Sequence, residues 1–132
     1  MKICRKRKPC VRCGTVTANR KYCSIGCQHL HIWEELKKDA IEKGRFPTWK
    51  NAKRWLLEIN GITCDVCGHS RWMGKPMPIT IDHINGNHTD HRIDNVRLIC
   101  PNCDAQTDTY KGKNRGNGRH SRMERYNKGL SY

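Results

Sequence analysis

A chain of 132 residues with 36% hydrophobic and only 7% aromatic side chains suits one domain or two very small modules, and excludes one generous apolar core. Its formal charge of +14 points to a polyanionic partner, and no stretch approaches the length of a membrane-spanning helix, so membrane contact is not expected. Units this small are usually held by metals or disulfides, and the nine cysteines could serve either role.

Eight of those cysteines fall in close pairs, at 10/13, 23/27, 64/67 and 100/103, a spacing that favours metal over disulfide bridging. The charged N-terminus carries no apolar run, so no leader is expected and a reducing cytoplasm with two structural zinc sites is the better reading. Two sets of four thiolates, each around a Zn²⁺, would bring the net charge to roughly +10. Residues 1–30 hold eight Lys or Arg and no acid, and 105–132 hold seven against two, while the middle is near balance. Basic ends around a neutral centre suit a nucleic-acid backbone, although basic tails also serve simply to solubilise.

Met1 to Lys8 reads as a charged arm without periodicity, and Cys4, outside any pair, reads as a free thiol. Cys10 and Cys13 form a first knuckle, with Gly14 for the turn that follows. Cys23 and Cys27 run straight into a helical pattern from Ser24 to Lys43, with Leu30, Trp33, Leu36, Ala40 and Ile41 at helical spacing. Knuckle, short hairpin and ligands at a helix start describe a treble-clef-like zinc finger. Four cysteines leave no open position, so the site is structural, and His29 and His31 are expected on the helix surface. Gly44 ends the helix, and Pro47-Thr48 starts another whose stripe is Trp49, Ala52, Trp55, Leu56 and Ile59. These tryptophans read as core. Lys50, Lys53 and Arg54 fall on the other face and are candidates for DNA phosphate contact.

Cys64 and Cys67 open a second site that Cys100 and Cys103 close, across a 32-residue spacer (68–99) too long for a plain zinc ribbon. Residues 69–78, with Gly74, Pro76 and Pro78, read as a loop, 79–81 as a strand, 85–94 as a polar loop and 96–99 as the returning strand. Pro101 suits the first turn of a helix continuing through Thr107. Beyond Lys111 the chain is Gly- and Arg-rich, with a short helix around 121–128. Lys111, Lys113, Arg115 and Arg119 are candidate phosphate contacts, as is Arg97, which a short strand could equally carry as a surface charge. His88 and His91 read as solvated loop residues.

The order of Cys64-Asp-Val-Cys67, Asp82-His83, Asp94-Asn95 and Cys100-Pro-Asn-Cys103-Asp104 resembles the HNH nucleases with a ββα-metal core, above all the small phage-encoded ones. The likeness is strong over 60–117 and looser at both ends, where the N-terminal finger and basic tail resemble those of phage HNH proteins. It implies an α+β, zinc-stabilised fold. The expected division is a basic arm and Cys4 finger over 1–44, a linker helix over 45–61, an HNH core over 62–112 and a basic tail over 113–132. It further implies hydrolysis of double-stranded DNA, in the host cytoplasm if phage-encoded, with monomer and dimer both open. His83, whose imidazole titrates near neutrality, would be the general base. By resemblance Asp82 would hold a divalent ion, and Asn95 would brace the loop that orients His83. For Asp82 and His83 to reach one phosphate, the strand must end or twist at His83.

The family usually has His where this chain has Asp104. A second carboxylate beside Asp82 tilts the ion towards Mg²⁺ or Mn²⁺. The alternative is a catalytically silent, two-zinc nucleic-acid-binding protein, in which Asp104 marks the lost ligand. His91 is a distant substitute for it.

Overall fold

The first knuckle of each cysteine set is closed by a glycine in the left-handed region, Gly14 at φ 75° and Gly68 at φ 73°, a conformation open to a residue without Cβ. Their N–H groups donate back to the carbonyls of Cys10 and Cys64 at 2.9 and 2.8 Å. The computed structural model describes residues 6–115 and 120–130, with backbone alone for 120–122. Cys4 and Arg119 lie outside the described residues. The chain divides into two compact units, Met1–Glu42 and Lys43–Tyr132, each with one knuckle pair.

In the first unit, β1 (Lys8–Pro9) pairs antiparallel with β2 (Val16–Thr17), so Cys10 and Cys13 sit in the hairpin connection. Val11 N donates to Lys21 O at 3.1 Å, which draws the loop after β2 onto the knuckle. α1 (Ile25–Lys43) starts where Ser24 Oγ accepts from Cys27 N at 3.1 Å, and Gly44 at φ 68° follows its end. Trp33 and Ala40 of the expected stripe are buried, but Leu30 and Ile41 are exposed. So short a unit has too little apolar surface to cover the whole stripe of a 19-residue helix.

In the second unit, α2 (Trp49–Asn60) is capped by Thr48, whose Oγ1 accepts from Asn51 N at 3.3 Å. Ala52 and Leu56 are buried on the side packed against the strands, and Trp55 lies half-buried with its ring 5.4 Å from that of Phe46. Trp49 and Ile59 are exposed, so the buried face is narrower than the five-residue stripe suggests. The segment read as a loop over 69–78 contains a small hairpin, β3 (Arg71–Trp72) and β4 (Lys75–Pro76). Met73 at φ 48° and Gly74 at φ 76° make its turn, two consecutive positive φ angles that match strand twist.

β5 (Thr80–His83) and β6 (Val96–Ile99) form the central antiparallel pair, with Asp82 opposite Arg97 and His83 opposite Val96. β6 is the most buried strand: Val96, Leu98 and Ile99 are all inside. Ile99 joins Cys64, Met77 and Cys100 in one cluster, with Ile79 and Cys103 against it, so the core is built around the cysteines themselves. Asp65 sews the knuckle to β6, its N–H donating to Leu98 O at 2.8 Å and its Oδ2 accepting from Leu98 N at 2.6 Å. α3 (Pro101–Ala105) has proline in its first turn, where a missing N–H costs nothing. It stops short of Thr107 because Gln106 and Thr107 bond three residues back, to Cys103 and Asp104, tightening the last turn. A 3₁₀ turn (Lys111–Asn114) and α4 (His120–Asn127) complete the described chain. Among the described residues no helix is long and apolar enough to cross a membrane.

Candidate metal and catalytic site

The four thiols of each set lie within 4.8 Å of one another, and either set could hold a zinc ion. In the first, Cys13, Cys23 and Cys27 are mutually 3.3 to 3.7 Å apart at sulfur; in the second, Cys67 and Cys100 are 4.0 Å apart. A tetrahedron with Zn–S bonds of about 2.3 Å has edges of about 3.8 Å, so the sets fit the ion. Backbone N–H groups of Cys13, Cys23 and Arg12 lower the Cys10 thiol to about 6. Cys64 also falls to about 6, because the N–H groups of Cys67, Cys100 and Val66 together outweigh its burial. Burial and the neighbouring thiols push Cys103 up to about 12, and the thiols of Cys27 and Cys13 do the same to Cys23. A cation bound by either set would displace the remaining thiol protons to solvent.

The β5–β6 ladder places the remaining candidates. Asp82, its side chain only 10% exposed, accepts from Arg97 Nε at 2.8 Å directly across the ladder. Arg97, read as a phosphate contact or a surface charge, is therefore the partner of a buried carboxylate. β5 ends at His83, whose carbonyl accepts from Gly86 N at 2.7 Å to start the turn. The half-buried His83 has Nε2 2.9 Å from His91 Nδ1, and burial, with the nearby His91, lowers its pKa below the ordinary imidazole value.

Asn95 is 5% exposed and fully engaged. Its Oδ1 accepts from Asn85 N at 3.0 Å, and its Nδ2 donates to Asp90 O at 2.8 Å and Asn85 Oδ1 at 3.0 Å. One amide, just before β6, thus ties down the start and the middle of the loop between the strands. Asp90 adds a bond from Asn85 Nδ2 and an ion pair with Arg92, whose hydrogen bonds bring its carboxyl down to about 2. Asp104, on α3, is partly exposed, and its carboxylate has no hydrogen bond or ion pair among the described residues. Among those residues the two cysteine sets are the only groups of three or more His, Cys, Asp or Glu within 4.8 Å, so Asp82, His83 and Asp104 do not form a ready three-ligand cluster.

Lys50, Lys53 and Arg54 share a cleft of about 450 Å³ with Trp49, Leu57 and Glu58. There Lys50 lies over the Trp49 ring and Arg54 pairs with Glu58 at 3.4 Å. Lys111 covers Tyr110, Lys113 donates to Thr107 O at 3.4 Å, and Arg115 is exposed.

Two residues carry more than their sequence setting indicates. His91 is no solvated loop residue: its carbonyl accepts from Phe46 N at 3.0 Å, and the strand-like pairing of Arg45 with Arg92 seats it beside His83. Asn114, hidden in the basic tail, donates from Nδ2 to Gly86 O at 2.9 Å, and its Oδ1 is buried without a partner among the described residues. The one sequence signal for it is Asn85-Gly86, a turn whose glycine leaves room for a neighbour.

A segment of 53 residues, 40% of the chain, is 47% identical to the H-N-H endonuclease F-TflIV of Escherichia phage T5. The resemblance to HNH endonucleases therefore stands, on a match that spans 23% of that relative's length. No protein-family model and no solved structure matches the chain.

Proposed function

We propose that the second unit is an HNH DNA endonuclease core of the ββα-metal type, with β5, β6 and α3 as its frame, and that the first is a treble-clef-like zinc finger that helps hold double-stranded DNA. In this division 1–44 is arm and finger, 45–61 linker helix, 62–112 core and 113–132 tail. The observation that carries the reading is Asn95, buried at the end of the loop that follows His83 and bonded to its start at Asn85 and its middle at Asp90, as suits a residue that orients a catalytic base.

His83 is the group that takes a proton from water. Its lowered pKa keeps the imidazole neutral near pH 7, the state a base requires. With Nε2 facing His91, the other ring nitrogen, Nδ1, is left for the water. Asp82 and Asp104 supply hard carboxylate oxygens, which fits Mg²⁺ or Mn²⁺, ions that take one or two carboxylates and keep waters for the phosphate to displace. An ion held there would supply positive charge against the phosphate and the leaving 3′-oxygen. Arg97 fixes Asp82 in the ladder and leaves its other oxygen for a ligand. Lys50, Lys53, Lys113 and Arg115 would offer phosphates sequence-independent contacts.

One observation favours the rival reading of a silent, two-zinc DNA-binding protein: the Asp82 carboxylate is already neutralised by Arg97, and the usual family histidine is Asp104. Plasmid DNA with Mg²⁺, given the parent, His83→Ala and Asp104→His, separates the two. The endonuclease reading expects cleavage by the parent and a loss of about 10²- to 10⁴-fold in His83→Ala. Binding without cleavage by the parent, with cleavage appearing in Asp104→His, establishes the rival.

A further inference from the structure

The first unit carries a groove of about 420 Å³ lined by Lys6, Lys8, Ala18, Asn19 and Arg20. A second cleft of about 500 Å³ shares Asn19 and Arg20 and continues along Lys21, Tyr22 and Gln28. The loop between them is pinned at both ends. Asn19 N donates to Thr17 Oγ1 at 3.1 Å, Asn19 Nδ2 to Cys23 O at 3.2 Å, and Val11 N to Lys21 O at 3.1 Å. Arg20 is thus presented by backbone bonded to the cysteine knuckle, so little ordering remains to be done on binding. Elsewhere in the unit Arg12 is matched by Glu34 at 2.9 Å, whereas Lys6, Lys8 and Arg20 have no acidic partner among the described residues.

A zinc ion on four thiolates carries a charge of about −2, too little to account for the cations around it. Residues 1–30 hold eight Lys or Arg and no acid, so a positive excess survives the metal. Lining one groove without acidic partners among the described residues, with Arg20 on the pinned loop and Lys8 on β1, these groups have the chemistry of a phosphate track.

We propose that this groove is a seat for DNA backbone phosphates, with Lys6, Lys8 and Arg20 as its contacts, so that the first unit contributes affinity of its own, independent of the catalytic chemistry. The choice of DNA among polyanions rests on the function proposed above.

The test uses the full, zinc-loaded chain and a short fluorescein-labelled duplex, with no added Mg²⁺, read by anisotropy over a range of KCl. In Lys6→Gln/Lys8→Gln/Arg20→Gln the slope of log K against log salt should fall by about 2 to 3, and affinity near 0.15 M salt by roughly thirty- to a hundredfold. A charge-matched control on α1, Lys37→Gln/Lys38→Gln/Lys43→Gln, should lose less than one unit of slope. Zinc content is measured for each protein. If the triple variant fails to retain two zinc ions, Arg20→Gln and Lys6→Gln/Lys8→Gln are read separately, with about one unit of slope expected per contact. With zinc intact, an unchanged slope overturns the proposal, as does an equal loss in the control or a loss seen on duplex RNA but not on DNA. In cleavage assays the groove variant should raise KM and leave kcat unchanged. A parent that binds DNA through the groove and never cuts it would end the endonuclease reading while leaving this one standing.

Discussion

Asp82 faces Arg97 across the β5–β6 ladder, and the two meet at 2.8 Å with the carboxylate almost out of solvent. The pair holds the strands in register and neutralises the carboxylate charge that a cation on its other oxygen would draw on. Arg97→Gln should therefore act in two directions. It strands a buried carboxylate, which costs about 1–3 kcal/mol and lowers Tm. It also frees Asp82, so half-maximal cleavage should need several-fold less Mn²⁺. A variant whose Mn²⁺ requirement rises instead would show that Arg97 orients Asp82 for the ion and does not compete with it.

Asn95→Ala removes three hydrogen bonds at a buried position, leaving Asn85 N unsatisfied and the start and middle of the loop untied. Cleavage should fall about 10- to 100-fold, the usual cost of losing a residue that orients a catalytic group. Amide hydrogen exchange of 85–91 should rise while that of β6 stays protected.

The His83–His91 contact predicts a pH signature. Burial and His91 both depress the His83 pKa, so the acid limb of the pH–rate profile should lie below the ordinary imidazole value of about 6.5. His91→Leu keeps the site apolar but removes a charge that repels protonation, so the limb should move up. The same depression fixes the sign for stability. The unfolded chain binds the proton more readily, so the contribution is unfavourable as pH falls from the unfolded pKa to the lower folded one, and stability rises with pH across that window. Titration of His83 by NMR in the parent and in His91→Leu measures both.

Gly86 sits at φ 72°, and a Cβ there would collide with Asn114 Oδ1 and come within 2.9 Å of Thr109 Cγ2. Gly86→Ala should cost about 1–3 kcal/mol by thermal or urea unfolding. Asn114→Ala removes one of the two obstructions, so the double variant should be less damaged than the sum of the singles. Strict additivity would mean that the positive φ alone sets the cost.

Zinc should leave the units one at a time. Cys10→Ser is expected to reduce bound zinc from two per chain to one and to leave the β5–β6 unit folded. Cys64→Ser removes a core residue as well as a ligand and should unfold the second unit and abolish cleavage. Zinc content and near-UV dichroism of the two variants check this. Equal loss of structure in both would show that the units depend on each other.

Much was legible in the chain because it is set locally. Cysteine spacing, with a glycine after the first pair of each set, specifies the two cysteine sets; Thr48 and Gly61 mark the ends of α2 through bonds to residues a turn away, and Pro101 suits the first turn of α3. The strand at 96–99 and the Asp82-His83 pair at the end of β5 follow from alternation and turn chemistry in the same way. The hairpin at 71–76 is not legible in the sequence because its turn uses Met73 in a left-handed conformation that methionine seldom takes.

What the sequence alone determined is therefore the two cysteine sets and the order of the main elements, since both depend on neighbours within a few residues. The pairing of Asp82 with Arg97, the meeting of His83 and His91 and the reach of Asn114 to Gly86 were decided only by tertiary structure. They join residues 8 to 28 positions apart, through ladder register and through the docking of the 44–46 segment on the loop, which no local pattern encodes.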